Sequence, residues 1–519
     1  MDKFISRFAD KIIGVLSGFD RLVFRGHLLP LMRDAGMYIF LNRAGVRLLD
    51  FKDYVQKTSN TIKEAAIEEA KAAERPIHYL ESSRTSKEDL ARRLLEEHPV
   101  DQGLVCLFKT VETCRSFEYH RSQDKSERGL KLGTRKCLHI YKYFVHPTFG
   151  FMSARLQTWF PFTIQICLNG REWLARTLER NEDLFLRDDN CITWFASPQA
   201  QVQRLFDQQL DTNWPAILGQ LARLLNPLHQ RIFEPWPMDY YWSVYQSEWA
   251  TDVLFENPQS IAAIYPSLVH HAMYHLHSPD IMRFLGKKLT GNFKGEVVTS
   301  FKRRPEGVRV KHWVDGNSIK MYDKAQTVLR AETTVGNVAP FKVLRPADDD
   351  QPDRKLAWRP LRKGVADLHR RAQVSQQANQ RYLEALAATK DDTKVANLFD
   401  QVSRPTIFQG RRVRALRIGD HDDLALLKAI ARGEWAVPGF RNRDLRQILH
   451  PEKGATSVER ARNLSARTTR QIRRLRAHGI IRKVPKSHRY RITHKGLQLT
   501  TALFAAREAT VENLIGKAA

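Results

Sequence analysis

Two short strings hold the residue types from which phosphodiester chemistry is made. Asn317-Ser318-Ile319-Lys320-Met321-Tyr322-Asp323-Lys324 is followed four residues later by Leu329-Arg330-Ala331-Glu332. Alternate side chains of a β-strand share a face, so Lys320, Tyr322 and Lys324 stand together, as do Arg330 and Glu332 on a partner strand. Such a face suits a phosphate diester. Lys320, Lys324 and Arg330 would clamp the phosphate, Tyr322 would be the nucleophile, and Glu332 with Asp323 would hold Mg2+ or Mn2+, so that Tyr322 and Glu332 are the candidate catalytic residues. A structural ladder of cross-strand charge pairs accounts for the same residues without chemistry, and the sequence leaves both readings open.

A second concentration is cationic. Residues 459–495 hold thirteen Arg or Lys against one acid, Glu459. Each cation that neutralises a phosphate releases condensed counterion, so the run reads as a nucleic-acid grip. Its spacing predicts a helix over 461–478, with Leu464, Ile472 and Leu475 turned inward and Arg467, Arg470, Arg473, Arg474 and Arg476 mostly outward. Ser465, Thr468, Thr469 and Gln471 add hydrogen-bonding groups for phosphates or base edges. His478-Gly479 stops the helix, Ile480-Ile481 starts a strand, a basic loop carries Arg482, Lys483, Lys486 and Arg489, and Tyr490–Ile492 returns. Over roughly residues 420–515 this segment resembles the winged-helix DNA-binding module of MarR-like regulators. Their wing strand tends to read Tyr-x-Ile/Leu-Thr before a Gly and a long helix, here Tyr490-Arg491-Ile492-Thr493 through Gly496. The resemblance implies duplex DNA as the partner; binding of RNA by the same surface, or a solvated basic helix in a packing role, stays open.

These strings need elements to position them. Residues 19–26 read as a strand ending in a turn, 61–74 as a helix stopped by Pro76, and 77–80, 86–98 and 103–108 as strand, Ser86-capped helix and strand, a βαβ pattern. Residues 121–136 read as a surface loop. An antiparallel meander follows over 137–145, 151–160 and 162–168, and Asn169-Gly170 opens a helix over 171–180. Residues 197–290 read mainly as helices, and 308–313, 318–324 and 328–335 as antiparallel strands turned by Asp315-Gly316. Residues 346–355 read as an exposed connection before a helix over 363–390. The expected fold is α+β and multidomain: a mixed α/β domain over 1–195, a helical segment followed by a β-hairpin region over 196–345, a linker and helix over 346–419, and a winged helix-turn-helix over 420–519.

The string Tyr322-Asp323-Lys324 with Leu329-Arg330-Ala331-Glu332 resembles a hairpin of some phage and plasmid rolling-circle replication initiators. Together with Phe19-Asp20-Arg21 and Asn169-Gly170-Arg171-Glu172-Trp173, it also resembles an uncharacterised bacterial family associated with mobile elements. The initiators carry a His-hydrophobe-His metal pair on a strand. The matching tripeptide here, His275-Leu276-His277, falls in an expected helix, where i,i+2 side chains point apart. Cys137-x-His139-x-Tyr141-x-Tyr143 alternates along a strand, as a core face or as a surface that stacks bases.

Composition bounds the rest. A net charge of +27 over 519 residues extends the basic character beyond the C-terminal run and asks for several domains. Five scattered cysteines without a CxxC pair point to reduced thiols and no structural zinc. Charges interrupt the apolar stretches of residues 1–40 too often for a signal peptide or membrane span, which gives a cytoplasmic expectation with no membrane partner. There is no Walker loop, GxGxxG after a strand, HExxH or GxSxG. The expected protein docks on duplex DNA through its C-terminus and recognises or processes nucleic acid with its body, in a mobile-element setting; a non-enzymatic transcription regulator or an RNA-binding protein is the alternative.

Overall fold

The computed structural model describes residues 1–82, 84–120, 129–287, 296–304, 307–346, 356–387, 395–432, 435, 439–450, 458–485 and 487–508. In chain order its elements begin α1 (Asp2–Arg7), β1 (Ile12–His27), α2 (Asp34–Arg43), α3 (Phe51–Ala72), β2 (Ile77–Leu80), α4 (Lys87–Glu97), β3 (Gly103–His120), β4 (Gly129–His146), β5 (Gly150–Gln157) and β6 (Ile164–Asn169). They continue α5 (Gly170–Arg180), β7 (Phe185–Asp188), β8 (Cys191–Phe195), α6 (Gln199–Asp207), α7 (Trp214–Leu225), α8 (His229–Ile232), β9 (Tyr241–Phe255), α9 (Pro258–Ala262), α10 (Tyr265–Tyr274) and α11 (Ser278–Phe284). After these come β10 (Val298–Arg304), β11 (Gly307–Val314), β12 (Asn317–Lys324), β13 (Val328–Val335) and α12 (Leu368–Leu386).

One sheet of eleven strands runs through the body in the order β10-β11-β12-β13-β9-β1-β6-β5-β4-β3-β2. Every neighbouring pair is antiparallel except β2 and β3, the parallel pair expected from the βαβ pattern. Ser86 caps α4 as its sequence signals, accepting from the Asp89 N–H. The sheet crosses residue 195, so the two segments expected to divide there share one layer, with β1 between β9 and β6. Helices cover both faces. Leu107 and Phe108, neighbours in β3, belong to different apolar clusters, one with α3 and one with α4. On the far half, α10, α11 and α12 pack on Ile319, Met321, Leu329 and Ala331.

Two expectations fail here. The helical expectation for 197–290 does not hold at β9, whose second half, Trp249–Phe255, is buried without a break and shows no alternation, while its first half does alternate. The loop reading of 121–136 missed the start of β4: Leu130 turns into the core while Arg135 pairs outward with Glu118. Residues 121–128 lie outside the described residues, as do 347–355 of the expected connection.

The C-terminal part has its own core. Its elements are β14 (Lys342–Arg345), β15 (Ala357–Pro360), α13 (Val395–Asp400), β16 (Thr406–Phe408), β17 (Arg411–Val413), α14 (His421–Ile430), α15 (Asn442–Leu449), α16 (Val458–Ala477), β18 (Ile481–Lys483), β19 (Tyr490–Ile492) and α17 (His494–Glu508), of which the β14–β15 hairpin precedes that core. Leu426, Leu427, Ile430, Phe440, Leu445, Ile472, Leu475 and Leu499 form the core together with Leu398, Val402 and Leu416, so part of the expected linker is packed into it. Ile472 and Leu475 are buried as their spacing requires.

Candidate active site

The β12–β13 hairpin sets Lys320 opposite Glu332 and Tyr322 opposite Arg330. Lys320 Nζ lies 2.7 Å from Glu332 Oε1, and the Tyr322 hydroxyl donates to Glu332 Oε2 at 3.0 Å. The face expected from alternation therefore exists. Its neighbours come from strands that the hairpin alone does not reveal. β9 places Asp252 opposite Arg330 and Glu248 opposite Thr334, and a register shift between Phe19 and Arg21 leaves Asp20 outside the β1–β9 pairing. Such a bulge re-aims a side chain. Oxygens of Asp20, Glu248 and Glu332 all lie within 4.8 Å of one another.

Two assigned roles change. Arg330 is fully buried and grips Asp252 through two bonds, 2.6 and 2.8 Å, with Asp20 at 3.4 Å. A guanidinium so enclosed braces the carboxylates and does not clamp a substrate phosphate. Asp323 is not a partner of Glu332: successive strand side chains point to opposite faces, and Asp323 falls on the side of Met321 and Tyr265. Burial pushes its carboxyl up to about 6, against a backbone hydrogen bond from Gln326.

The other quoted strings end at the same place. Asn169 caps α5, accepting from the Arg171 and Glu172 N–H groups, and its amide reaches Asp20 at 3.4 Å. Gly170 is required because a Cβ there would stand 2.3 Å from the Phe19 carbonyl. Arg171, 1% exposed, pairs with Asp252 at 3.1 Å. Three strings separated by up to three hundred residues thus build one site, and Glu248, Asp252 and Asn190 complete it. The signal that would have found Glu248 and Asp252 is their presence, four apart, in the aromatic and β-branched run of β9.

Burial raises the Asp20 carboxyl, with the Arg330 charge acting against it. Burial and then the charge of Glu332 push Glu248 up to about 8. Burial is the largest single influence on Glu332 and opposes its charge, but the Lys320 ammonium, Arg330 and a hydrogen bond from Glu248 together hold this carboxyl below its ordinary range. The Tyr322 phenol is raised well above its usual value by burial and then by Glu332. Four carboxyl groups (Asp20, Glu248, Asp252, Glu332) face three cations (Arg171, Lys320, Arg330), an excess of negative charge in keeping with the raised Glu248 carboxyl.

The donor set fits a hard divalent cation: three carboxylates and, beside Asp20, a buried Asn190 Oδ1 with no hydrogen-bond donor while the same amide gives Asp20 a 2.7 Å bond. Binding there would release the Glu248 proton. Mn2+ affinity measured by calorimetry should accordingly rise about tenfold per pH unit and flatten above pH about 8. In the ion-free chain the sign reverses, since a carboxyl protonated more readily when folded loses stability as pH climbs from its ordinary value toward 8. A pH-independent Mn2+ affinity would exclude Glu248 as a ligand.

At the C-terminus, α16 exposes Arg467, Thr469 and Arg470, with Arg467 held 2.7 Å from Asp422. Ser465 and Thr469 are tied to Asn442. Arg482 and Lys483 are exposed on β18, and Arg489 is half-buried, donating to the Gly439 carbonyl. Lys486 lies outside the described residues. Three expected contacts point inward instead: Thr468 is buried, its hydroxyl donating to the Leu464 carbonyl, Gln471 is buried, and Arg474 is half-buried against Asp423 at 2.7 Å. Arg473 is also half-buried, at the Phe408 carbonyl. His139 and Tyr143 are buried, as a core face would have them. His275 closes α10 while His277 caps α11, so the His-Leu-His tripeptide lies in the turn between two helices and not within one as expected.

No family model matches the chain, and neither curated proteins nor solved structures give a match. Among the described residues no helix is long and apolar enough to cross a membrane.

Proposed function

We propose that the protein is a metal-dependent DNA strand-cleaving protein that docks on duplex DNA through a C-terminal winged helix and acts with the carboxylate site of its body. The observation that carries this reading is the convergence of Asp20, Glu248 and Glu332 beside Lys320 and Tyr322 on one sheet face. A divalent ion held there would polarise the phosphoryl oxygen and stabilise the leaving oxygen. Lys320 and Lys324 supply positive charge for the phosphate, and Arg330 and Arg171 keep the carboxylates in place through Asp252. The Tyr322 hydroxyl, buried and donating to Glu332, is better placed to orient that carboxylate than to attack, so water is the nucleophile. The water oxygen bonds to phosphorus as the bond to the leaving oxygen breaks; the water proton passes to a site carboxylate, and the leaving oxygen takes up a proton from solvent to end as a hydroxyl. Supercoiled and single-stranded DNA incubated with Mn2+ should be nicked by the wild type and by Tyr322→Phe at reduced rate, with no protein-linked DNA. A covalent adduct lost in Tyr322→Phe would restore tyrosine as the nucleophile.

The docking half rests on helices α14, α15 and α16 followed by the β18–β19 hairpin, with exposed Arg467, Arg470, Arg482 and Lys483. Replacing Arg470 or Arg482 by Ala should weaken duplex binding across sequences and reduce the salt slope by about 0.9 per phosphate contact. An unchanged slope in titrations across salt concentrations would remove these residues from the interface. A mobile-element setting is consistent with both activities in one chain.

A further inference from the structure

Five charged side chains form a chain of ion pairs of alternating sign beside the carboxylate site. Arg21 of β1 reaches Glu88 of α4 at 3.5 Å, and Glu88 also holds Arg92 at 3.2 Å. Arg92 meets Asp189 between β7 and β8 at 3.8 Å, and Asp189 meets Lys324 of β12 at 3.3 Å. Three cations from three separate elements share two carboxylates. Both ends are fastened to the site: Arg21 follows Asp20, and Asn190, next to Asp189, donates to Asp20 and accepts from Arg330 at 3.2 Å.

These contacts differ from the pairs beneath them. Arg330 and Asp252 are buried and close at 2.6 Å, whereas Arg21, Glu88, Arg92 and Asp189 have side chains 41–56% exposed and Lys324, at 14%, reaches its exposed partner Asp189 from a more enclosed position. Exposed ion pairs stabilise little and exchange partners readily. A phosphodiester carries the charge and paired oxygens of a carboxylate, and Arg recognises both by the same fork geometry.

We propose that Glu88 and Asp189 stand in for phosphates, and that a nucleic-acid strand entering the site displaces them and takes Arg21, Arg92 and Lys324 as its phosphate subsite. This rests on the reading of the carboxylate site as a strand-cleaving centre. The chain of ion pairs then holds the cations in position in the free protein and competes with the substrate. A role confined to fixing α4 against the sheet predicts no gain in strand binding for the acid variants.

The test uses the full chain, a labelled single strand of about 12 nucleotides, Ca2+, and excess unlabelled duplex to occupy the C-terminal part, read by fluorescence anisotropy. Asp189→Asn and Glu88→Gln should each tighten binding about fivefold, since each removes a competing charge next to a phosphate. Arg92→Gln should weaken it by a similar factor and leave Mn2+ affinity unchanged. If both acid variants bind the strand no better than a wild type that does bind it, with melting temperatures intact, the subsite is refuted while the cleavage reading survives. A wild type that neither takes up Mn2+ nor holds the strand overturns the cleavage reading and the subsite together.

Discussion

Replacing Glu332 by Gln is expected to abolish Mn2+-dependent strand cleavage, by about 10³-fold or more, while duplex binding stays within a factor of two or so of wild type. Glu332 touches every part of the proposed chemistry. It adjoins Asp20 and Glu248 within 4.8 Å, pairs with Lys320 and accepts from Tyr322. The amide keeps the size and the hydroxyl contact but removes the charge that offsets Lys320 and would help hold a divalent ion. Because the exposed cations of α16 and β18 belong to a separate core, docking should not follow the loss. Gel shifts and nicking rates on the same preparation check both halves, and equal losses in both would signal misfolding instead of a lost site.

The second large effect concerns stability. Asp252 is fully buried and receives Arg330 through two bonds and Arg171 through a third contact at 3.1 Å. Asp252→Ala leaves two guanidiniums buried with one carboxylate fewer between them. Breaking a buried pair from one side costs about 3–5 kcal/mol, because the remaining charge stays desolvated. The expected outcome is a fall of the main unfolding transition, with the C-terminal transition unchanged if it is resolved. Replacing all three charges by apolar residues of similar volume should cost less than the single change, which thermal melts of both variants would show.

The division between legible and hidden features has a physical basis. Features are legible where their determinants are local: the Ser86 cap, the Asp315-Gly316 turn, the alternating face of β12, and the helix-then-hairpin order of residues 458–492. β9 is hidden because its second half, Trp249–Phe255, is buried without a break and has no period to read, and its first half mixes aromatic and polar residues on both faces; with it go Glu248 and Asp252. Asp20 was visible as part of a string but not as a site residue, since only a bulge turns it toward Glu332. Asp323 looked like a ligand because it lies beside the right residues in sequence, where strand geometry sends neighbours apart. Arg474 looked like a DNA contact because its buried partner, Asp423, lies 51 positions away. Charge identifies that a residue pairs; only the fold decides with what.

Whether Asp20, Glu248 and Glu332 together hold a divalent ion is answered by Mn2+ binding followed by electron paramagnetic resonance near pH 8. Wild type should remove Mn2+ from the free-ion signal, and Glu332→Gln and Asp20→Asn should each weaken that uptake about tenfold or more with the fold intact. Equal uptake by wild type and both variants would contradict the account.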